Sequence, residues 1–528
     1  MFKKTKTLFK ILFHITFVLA VLLTAASPLL LGNASIINSK LGIETQVGYG
    51  SDDGGEDAIY YNTAYKSVAE VRQGSLAVIE EAMSEGAVLL KNDNGALPLD
   101  EEATTNKPGT NEKPLVTLYG AASYWSVHTG QGSGGAVTGA LNDRVTLYQG
   151  LTDAGLNVNA DMNDFYRQNG SAYMDEAGSS NTNQFIGDDN QTSEYVVRDM
   201  AWSQLPDYKD TTDVAIMVLA RNSGEALDLY QHVEMAGGNE SLTNILGRAG
   251  KGNYTTDKGD ALELSANEAD VLTELGKLKT ENKIQKIIVL MNTANPMQCE
   301  FLENSDYGID ACMWIGNMGT NGAAAVGKLL TGEYNPSGGT VNTFWEESRY
   351  NPVYFNFGSI RYGNYGILED YFVTESFQNA NYYVVYQEGI YNGYKYTETR
   401  YEDYVMQTGN AGDFDYDEVV TYPFGHGLSY STFEYSDFNV EYDAETDTYT
   451  VSVRVTNTSA VPGKEIVQVY LQKPYTAKDK ANGVEKAAVE LVGFGKTGML
   501  GASGSETASE VVEVEVKGKY FAAYDANV

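Results

Sequence analysis

One carboxylate in this sequence stands where chemistry is expected. Glu225 belongs to the polar turn Arg221-Asn222-Ser223-Gly224-Glu225, directly after the apolar run Val214–Ala220. A continuous apolar run of that length is the pattern of a parallel strand covered on both faces. In open α/β sheets, ligands bind just beyond the carboxyl ends of such strands. A carboxyl group held there can act as a general acid or base. Glutamates on loops are by default solvated, so it is position, not residue type, that singles out Glu225. A second feature is the glycine-rich stretch Thr129–Gly135, which follows the expected strand Leu115–Gly120. It superficially matches a dinucleotide fingerprint, but its glycines begin well after the strand and no lysine follows to meet a phosphate. It is read as a flexible loop at a strand's carboxyl end. With four histidines and no HExxH or CxxC spacing, the sequence points to no metal site and no cofactor. Cys312, inside a mostly apolar run, and Cys299, after a strand, are expected to be buried thiols.

The elements that must position Glu225 follow from periodicity. A helix is expected at 67–86, an apolar strand within 85–99, a strand at Leu115–Gly120, and helices near 138–154 and 193–204. Ser265-Ala266-Asn267-Glu268 has the spacing of a capping box, opening a helix with Val271, Leu275 and Leu278 on one stripe. Strands around Ile287–Met291 and Ile309–Ile315 and a helix at 320–331 complete an alternating series. Such alternation predicts an α/β fold, a mainly parallel sheet with helices on both faces. From Thr331 to about Val420 the periodicity fades into a Tyr/Asn-rich connector. After Pro423, Tyr449, Val451, Val453 and Val455 alternate with polar residues, as do Val467, Val469 and Leu471 and then Val512, Val514 and Val516. These predict a small all-β sandwich.

Charge and targeting narrow the setting. The formal net charge is -35, with 71 acidic and 36 basic residues. This balance opposes nucleic acid and favours neutral or cationic partners. Lys3, Lys4, Lys6 and Lys10 precede the apolar run Ile11–Gly32, long enough to span a bilayer. We read it as a signal anchor, with a transmembrane segment at 1–32, the bulk of the chain outside the cell membrane and a polar stalk at 33–66. A signal peptide cleaved near Ala25-Ala26-Ser27, giving a secreted protein, is the competing reading.

EGAVLLKNDNGALPL (85–99), RNSGEALDL (221–229), the segment 309–330 with TGEYNPSGGTVNTFW, YQEGIYNGYKY (386–396) and YPFGHGLSYSTFEY (422–435) together resemble family 3 glycoside hydrolases, the β-glucosidase family. The resemblance covers roughly 66–528. It implies an (α/β)6 sandwich domain at 67–345, a connector at 346–420 and a fibronectin type III-like domain at 421–528. It also implies a retaining glycosidase in which Glu225, matching the family's Gly-Glu-Gly loop, is the catalytic acid/base. Arg221, Asp228, Gly132 and Ser133 are the accompanying candidates for binding an oligosaccharide or glycoside substrate. Two departures bear on specificity: Ala226 replaces the loop's second glycine, and Leu229 stands where many members have arginine. The family's nucleophile is an aspartate on a (β/α)8 barrel, which this sequence does not contain, so a barrel partner in cis or in trans is expected. A membrane-anchored, non-catalytic carbohydrate-binding or surface-display protein is the alternative. It predicts sugar binding without a barrel and without Glu225.

Overall fold

The computed structural model describes residues 10, 13–18, 64–99, 113–129, 144–170, 199–207, 209, 212–221, 262–354, 386–408 and 412–523. It also describes the backbone of four two-residue strands at 231–232, 254–255, 360–361 and 382–383. The chain divides into two units, Met1–Val78 and Ile79–Val528. In the first, residues 13–18 are helical. No helix among the described residues is long and apolar enough to cross a membrane. The expected anchor therefore has no structural support; most of Ile11–Gly32 and of the stalk lies outside the described residues. Helix α1 (Val68–Gly86) forms where a helix was expected and ends in the second unit.

In the second unit the chain runs through β1 (Val88–Asn92), β2 (Leu115–Tyr119), α2 (Leu147–Asp153), β3 (Asn157–Val158), α3 (Ala160–Asn169) and β4 (Val214–Arg221). It continues through α4 (Ala266–Thr280), β5 (Lys286–Thr293), β6 (Ala311–Trp314) and α5 (Gly322–Thr331). The six strands form one sheet in the order β1-β6-β5-β4-β2-β3. All pairs are parallel except β1 with β6, which makes an antiparallel edge. All eight residues of β4 are buried, as the unbroken apolar run requires. Val214, Ile216 and Val218 pack on one face with residues of α2 and α5, and Ala215, Met217 and Leu219 on the other with residues of α3 and α4. Burying each larger side chain contributes roughly 1.5–3 kcal/mol. Helices α2 and α5 meet through glycines: a Cβ on Gly150 would lie 2.0 Å from the Ala323 carbonyl oxygen, and one on Gly327 2.2 Å from that of Gly150.

The strand order reverses between β2 and β4. From β2 the chain steps outward to β3, then returns to the other side of β2 at β4 and marches away through β5 and β6. The carboxyl ends of β2 and β4 thus flank the crevice where doubly wound sheets bind ligands.

Two expected helices differ. The one near 138–154 begins only at Leu147, because the Thr146 side chain accepts the Gln149 N–H and caps it there. Within 193–204 the described residues, 199–204, hold just a 3₁₀ turn, Trp202–Gln204, since Asp199 and Met200 lie in a loop held by the Asp199 carboxylate. Both cysteines are buried and unpaired.

Beyond α5 come β7 (Phe344–Trp345), α6 (Tyr394–Met406) and β8 (Val420–Tyr422). Helix α6 lies in the connector, where the sequence showed no period. The stretch Tyr386–Tyr396, which runs into this helix, is packed only at its end. Tyr394 packs tilted against Phe424 with ring centroids 4.7 Å apart and Tyr396 lies against Trp345 and Phe414, whereas Tyr386 is 77% exposed. The β-sandwich follows, with β9 (Phe433–Asp443), β10 (Thr448–Asn457), β11 (Ile466–Leu471), α7 (Ala477–Asn482), β12 (Glu490–Lys496) and β13 (Ser509–Lys517). One sheet is β9-β10-β13 and the other β11-β12. The alternating valines meet between them: Val453, Val455, Val467, Val512, Val514 and Val516 are buried in one cluster. The 422–435 motif ties this sandwich to the α/β sheet. His426 Nε2 donates to the Leu90 carbonyl at 3.0 Å, Tyr430 Oη donates to that of Leu329 at 2.8 Å, and Lys464 and Lys496 both pair with Glu85.

Candidate active site

Strand β4 ends in Arg221, the last described residue before the segment that carries Glu225. Glu225, Asp228, Gly132 and Ser133 lie outside the described residues; Arg221 does not. It is fully buried, and its guanidinium forks onto Glu268, Nη1 to Oε1 at 2.9 Å and Nη2 to Oε2 at 2.8 Å. The same nitrogens donate to the carbonyls of Ala220 at 2.8 Å and Glu263 at 2.6 Å. So placed, Arg221 anchors the root of the segment that carries Glu225. Its partner is the N3 glutamate that closes the expected capping box Ser265-Ala266-Asn267-Glu268. Glu268 accepts the Ser265 N–H at 2.8 Å while Ser265 Oγ accepts that of Glu268 at 3.3 Å. One carboxylate therefore caps α4 and neutralises the end of β4.

The adjacent strand end is built just as tightly. Strand β2 gives way at Gly120, whose φ of +90° and close approach to the Val218 carbonyl, 2.5 Å from an added Cβ, admit only glycine. The Gly120 N–H donates to Tyr166 Oη at 3.0 Å and the Ala121 N–H to Asp199 Oδ1 at 3.1 Å. Asp199 also accepts the Met200 N–H at 2.7 Å, and its own carbonyl accepts Asn267 Nδ2 at 2.6 Å. From β5, Asn292 Nδ2 donates to the carbonyls of Val127 at 2.9 Å and Gly316 at 2.6 Å. His128 Nδ1 donates to the Gly319 carbonyl at 2.7 Å; burial lowers the pKa of this imidazole, and its Nε2 is enclosed with no partner among the described residues. These contacts hold the chain up to Thr129, where the Gly130–Gly135 stretch begins. The structure thus brings the roots of the two stretches picked out in the sequence, Thr129–Gly135 and 221–229, to one end of one sheet, on strands that are hydrogen-bonded neighbours.

Sequence reading missed Asp199, Glu268 and Asn292 as members of this site. A buried acid inside an expected helix and an amide at the end of an apolar strand were the signals available. Asp199 has a testable titration. Burial first, and then the nearby Glu268 charge, push its pKa up to about 7, against the backbone donors and Arg221; Tyr166 also faces it. The folded state then holds this proton more tightly than the unfolded state, whose value is near 3.8. Its stabilising contribution is full below the unfolded pKa and is lost as pH rises through about 7. Asp199→Asn keeps an acceptor for both N–H groups without the charge. Thermal melts between pH 5 and 8 are expected to fall with pH more steeply for the natural protein than for this variant. Parallel slopes would remove Asp199 as the source.

Comparison with known proteins agrees with this arrangement. The model of the glycosyl hydrolase family 3 C-terminal domain matches residues 87–394. Beta-glucosidase A of Butyrivibrio fibrisolvens is 28% identical over 459 residues, which cover 83% of this chain and 46% of that protein. A beta-glucosidase of Ruminococcus albus is 26% identical over 445 residues, covering 84% of this chain and 36% of that one. The structure of beta-glucosidase 3B from Thermotoga neapolitana in complex with glucose superposes with a TM-score of 0.59 at 25% identity, covering 86% of this chain and 50% of that one. The chain spans half or less of the length of these proteins. With a match over more than half of its own residues, it belongs to glycosyl hydrolase family 3, through that family's C-terminal domain.

Proposed function

We propose that this chain is the acid/base half of a retaining, β-glucosidase-type glycosidase. The observation that carries the reading is the end of β4. Arg221 is locked at the reversal of the sheet, and the Gly224-Glu225-Ala226 turn follows it within a few residues. Retaining hydrolysis needs two carboxyl groups about 5–5.5 Å apart, one ionised as nucleophile and one protonated as acid. Glu225 is the acid: it protonates the leaving oxygen, then takes a proton from the water that releases the glycosyl-enzyme. A site closed against water raises such a carboxyl's pKa by desolvation and keeps it protonated. The nucleophilic aspartate and the pocket for the terminal sugar come from a barrel domain, in cis or in trans.

The test is complementation. The 528-residue chain alone is expected to hydrolyse no aryl β-glucoside above background. Combined with a family 3 barrel domain, expressed separately or fused, it is expected to gain activity that neither part has. Hydrolysis by the chain alone would overturn the division of labour between the two halves.

A further inference from the structure

A second concave site lies where α6, the turn 414–417 and β11 meet. It has a volume of about 750 Å³ and shares no residue with the strand ends described above. That volume is within the range of small-molecule sites, roughly 300–1,000 Å³, and its concavity argues against a flat protein contact. Two aromatic walls form it. Tyr394 packs on Phe424 and edge-on to Tyr470 on one side, and Tyr401 packs edge-on to Tyr416 on the other, with ring centroids 5.4 Å apart. Tyr401, Tyr404 and Tyr470 are 48%, 44% and 38% exposed, so their rings are open to a ligand from solvent. The lining also includes Glu398, Asp415 and Asp417, and contains no lysine or arginine. Tyr416 Oη donates to Glu398 at 2.6 Å, which fixes one carboxylate at the wall.

This chemistry selects a ligand. Three acids without a cation exclude an anion, and the chain's net charge of -35 repeats that exclusion at long range. Carboxylates only accept hydrogen bonds, so the ligand must be rich in donors, while aromatic walls ask for a flat apolar face. A pyranose has both: C–H faces for the rings and a rim of hydroxyl donors for the acids. We propose that this cleft binds a short neutral oligosaccharide, as a second saccharide site at the junction of connector and β-sandwich. The proposal rests on the glycosidase reading for its choice of sugar, but its test requires no turnover.

Calorimetry of the full chain with cellotriose is expected to show saturable binding. The Tyr401→Ala/Tyr404→Ala double variant should bind at least ~10-fold more weakly, because stacking on each ring is lost. Both rings are substantially exposed, so folding should survive; Asp415→Asn/Asp417→Asn, on exposed acids, tests the hydrogen-bonding half of the site independently and should also weaken binding. With a barrel supplied, hydrolysis of a short aryl glucoside should be unchanged in both variants. Absence of cellotriose binding, binding unaltered in both variants, or saturable binding of tetramethylammonium in its place would each overturn the proposal. Failure of the glycosidase reading would appear separately, as no hydrolysis with a barrel present.

Discussion

Replacing Glu225 by glutamine is expected to slow hydrolysis of a glucoside with a poor leaving group by about 10²–10⁴-fold in the barrel-complemented enzyme. Glutamine keeps the size of the side chain and loses the proton it would donate. An alkyl glucoside, whose oxygen must be protonated as the bond breaks, should suffer most. A dinitrophenyl glucoside leaves without protonation, so its first step should survive and the glycosyl-enzyme should accumulate. Azide, a nucleophile that needs no general base, should then restore turnover and yield a glycosyl azide. Asp228→Asn serves as the contrast: a milder loss is expected if that residue only positions the turn. Uniform loss across leaving groups, with no rescue by azide, would assign Glu225 to structure. The acid/base would then have to be sought elsewhere.

The second large effect concerns folding. Glu268→Gln leaves the Arg221 guanidinium fully buried without its counter-charge. Breaking one side of a buried pair costs about 3–5 kcal/mol, because the remaining charge loses its principal counter-charge where water cannot replace it. At a few degrees per kcal/mol, the melting temperature should drop by roughly 10 °C. Replacing both partners, as Arg221→Met with Glu268→Leu, removes the stranded charge and should regain much of that loss, apart from the capping bond to Ser265. A melting temperature for Glu268→Gln within about 1 °C of the natural protein would show that the pair contributes little to stability.

The two ingredients of that pair were unequally visible in the sequence. The strand could be read from Val214–Ala220 because a run buried on both faces leaves a one-dimensional signature. The Ser265–Glu268 box could be read because its two hydrogen bonds span only three residues. That Glu268 also neutralises Arg221 could not, since the partners are far apart in sequence and meet through the packing of α4 on the sheet. Asp199 was obscured for a related reason: an N–H group it holds belongs to Ala121, just past the end of β2 and far away in sequence. In the connector, YKYTETRYEDYVM gives α6 no clean apolar stripe. Its tyrosines pack through ring edges while keeping exposed surface, so hydrophobic periodicity is a poor detector of that helix. The valine alternation of the sandwich, by contrast, states its inward face directly.

The Arg221 guanidinium touches both banks of a long excursion. It is the residue at which the chain leaves the sheet, and it holds the Glu263 carbonyl and the Glu268 carboxylate where the chain returns to α4. Residues 222–262 are therefore tied at the neck. The entropic cost of closing a loop at such a neck grows only with the logarithm of its length, by about 0.6 kcal/mol per doubling. A change of length between Arg221 and Glu263 therefore leaves the anchor itself, and the ends of β4 and α4 that it joins, in place. The segment that carries Glu225 can thus differ in length while the sheet beneath it stays the same.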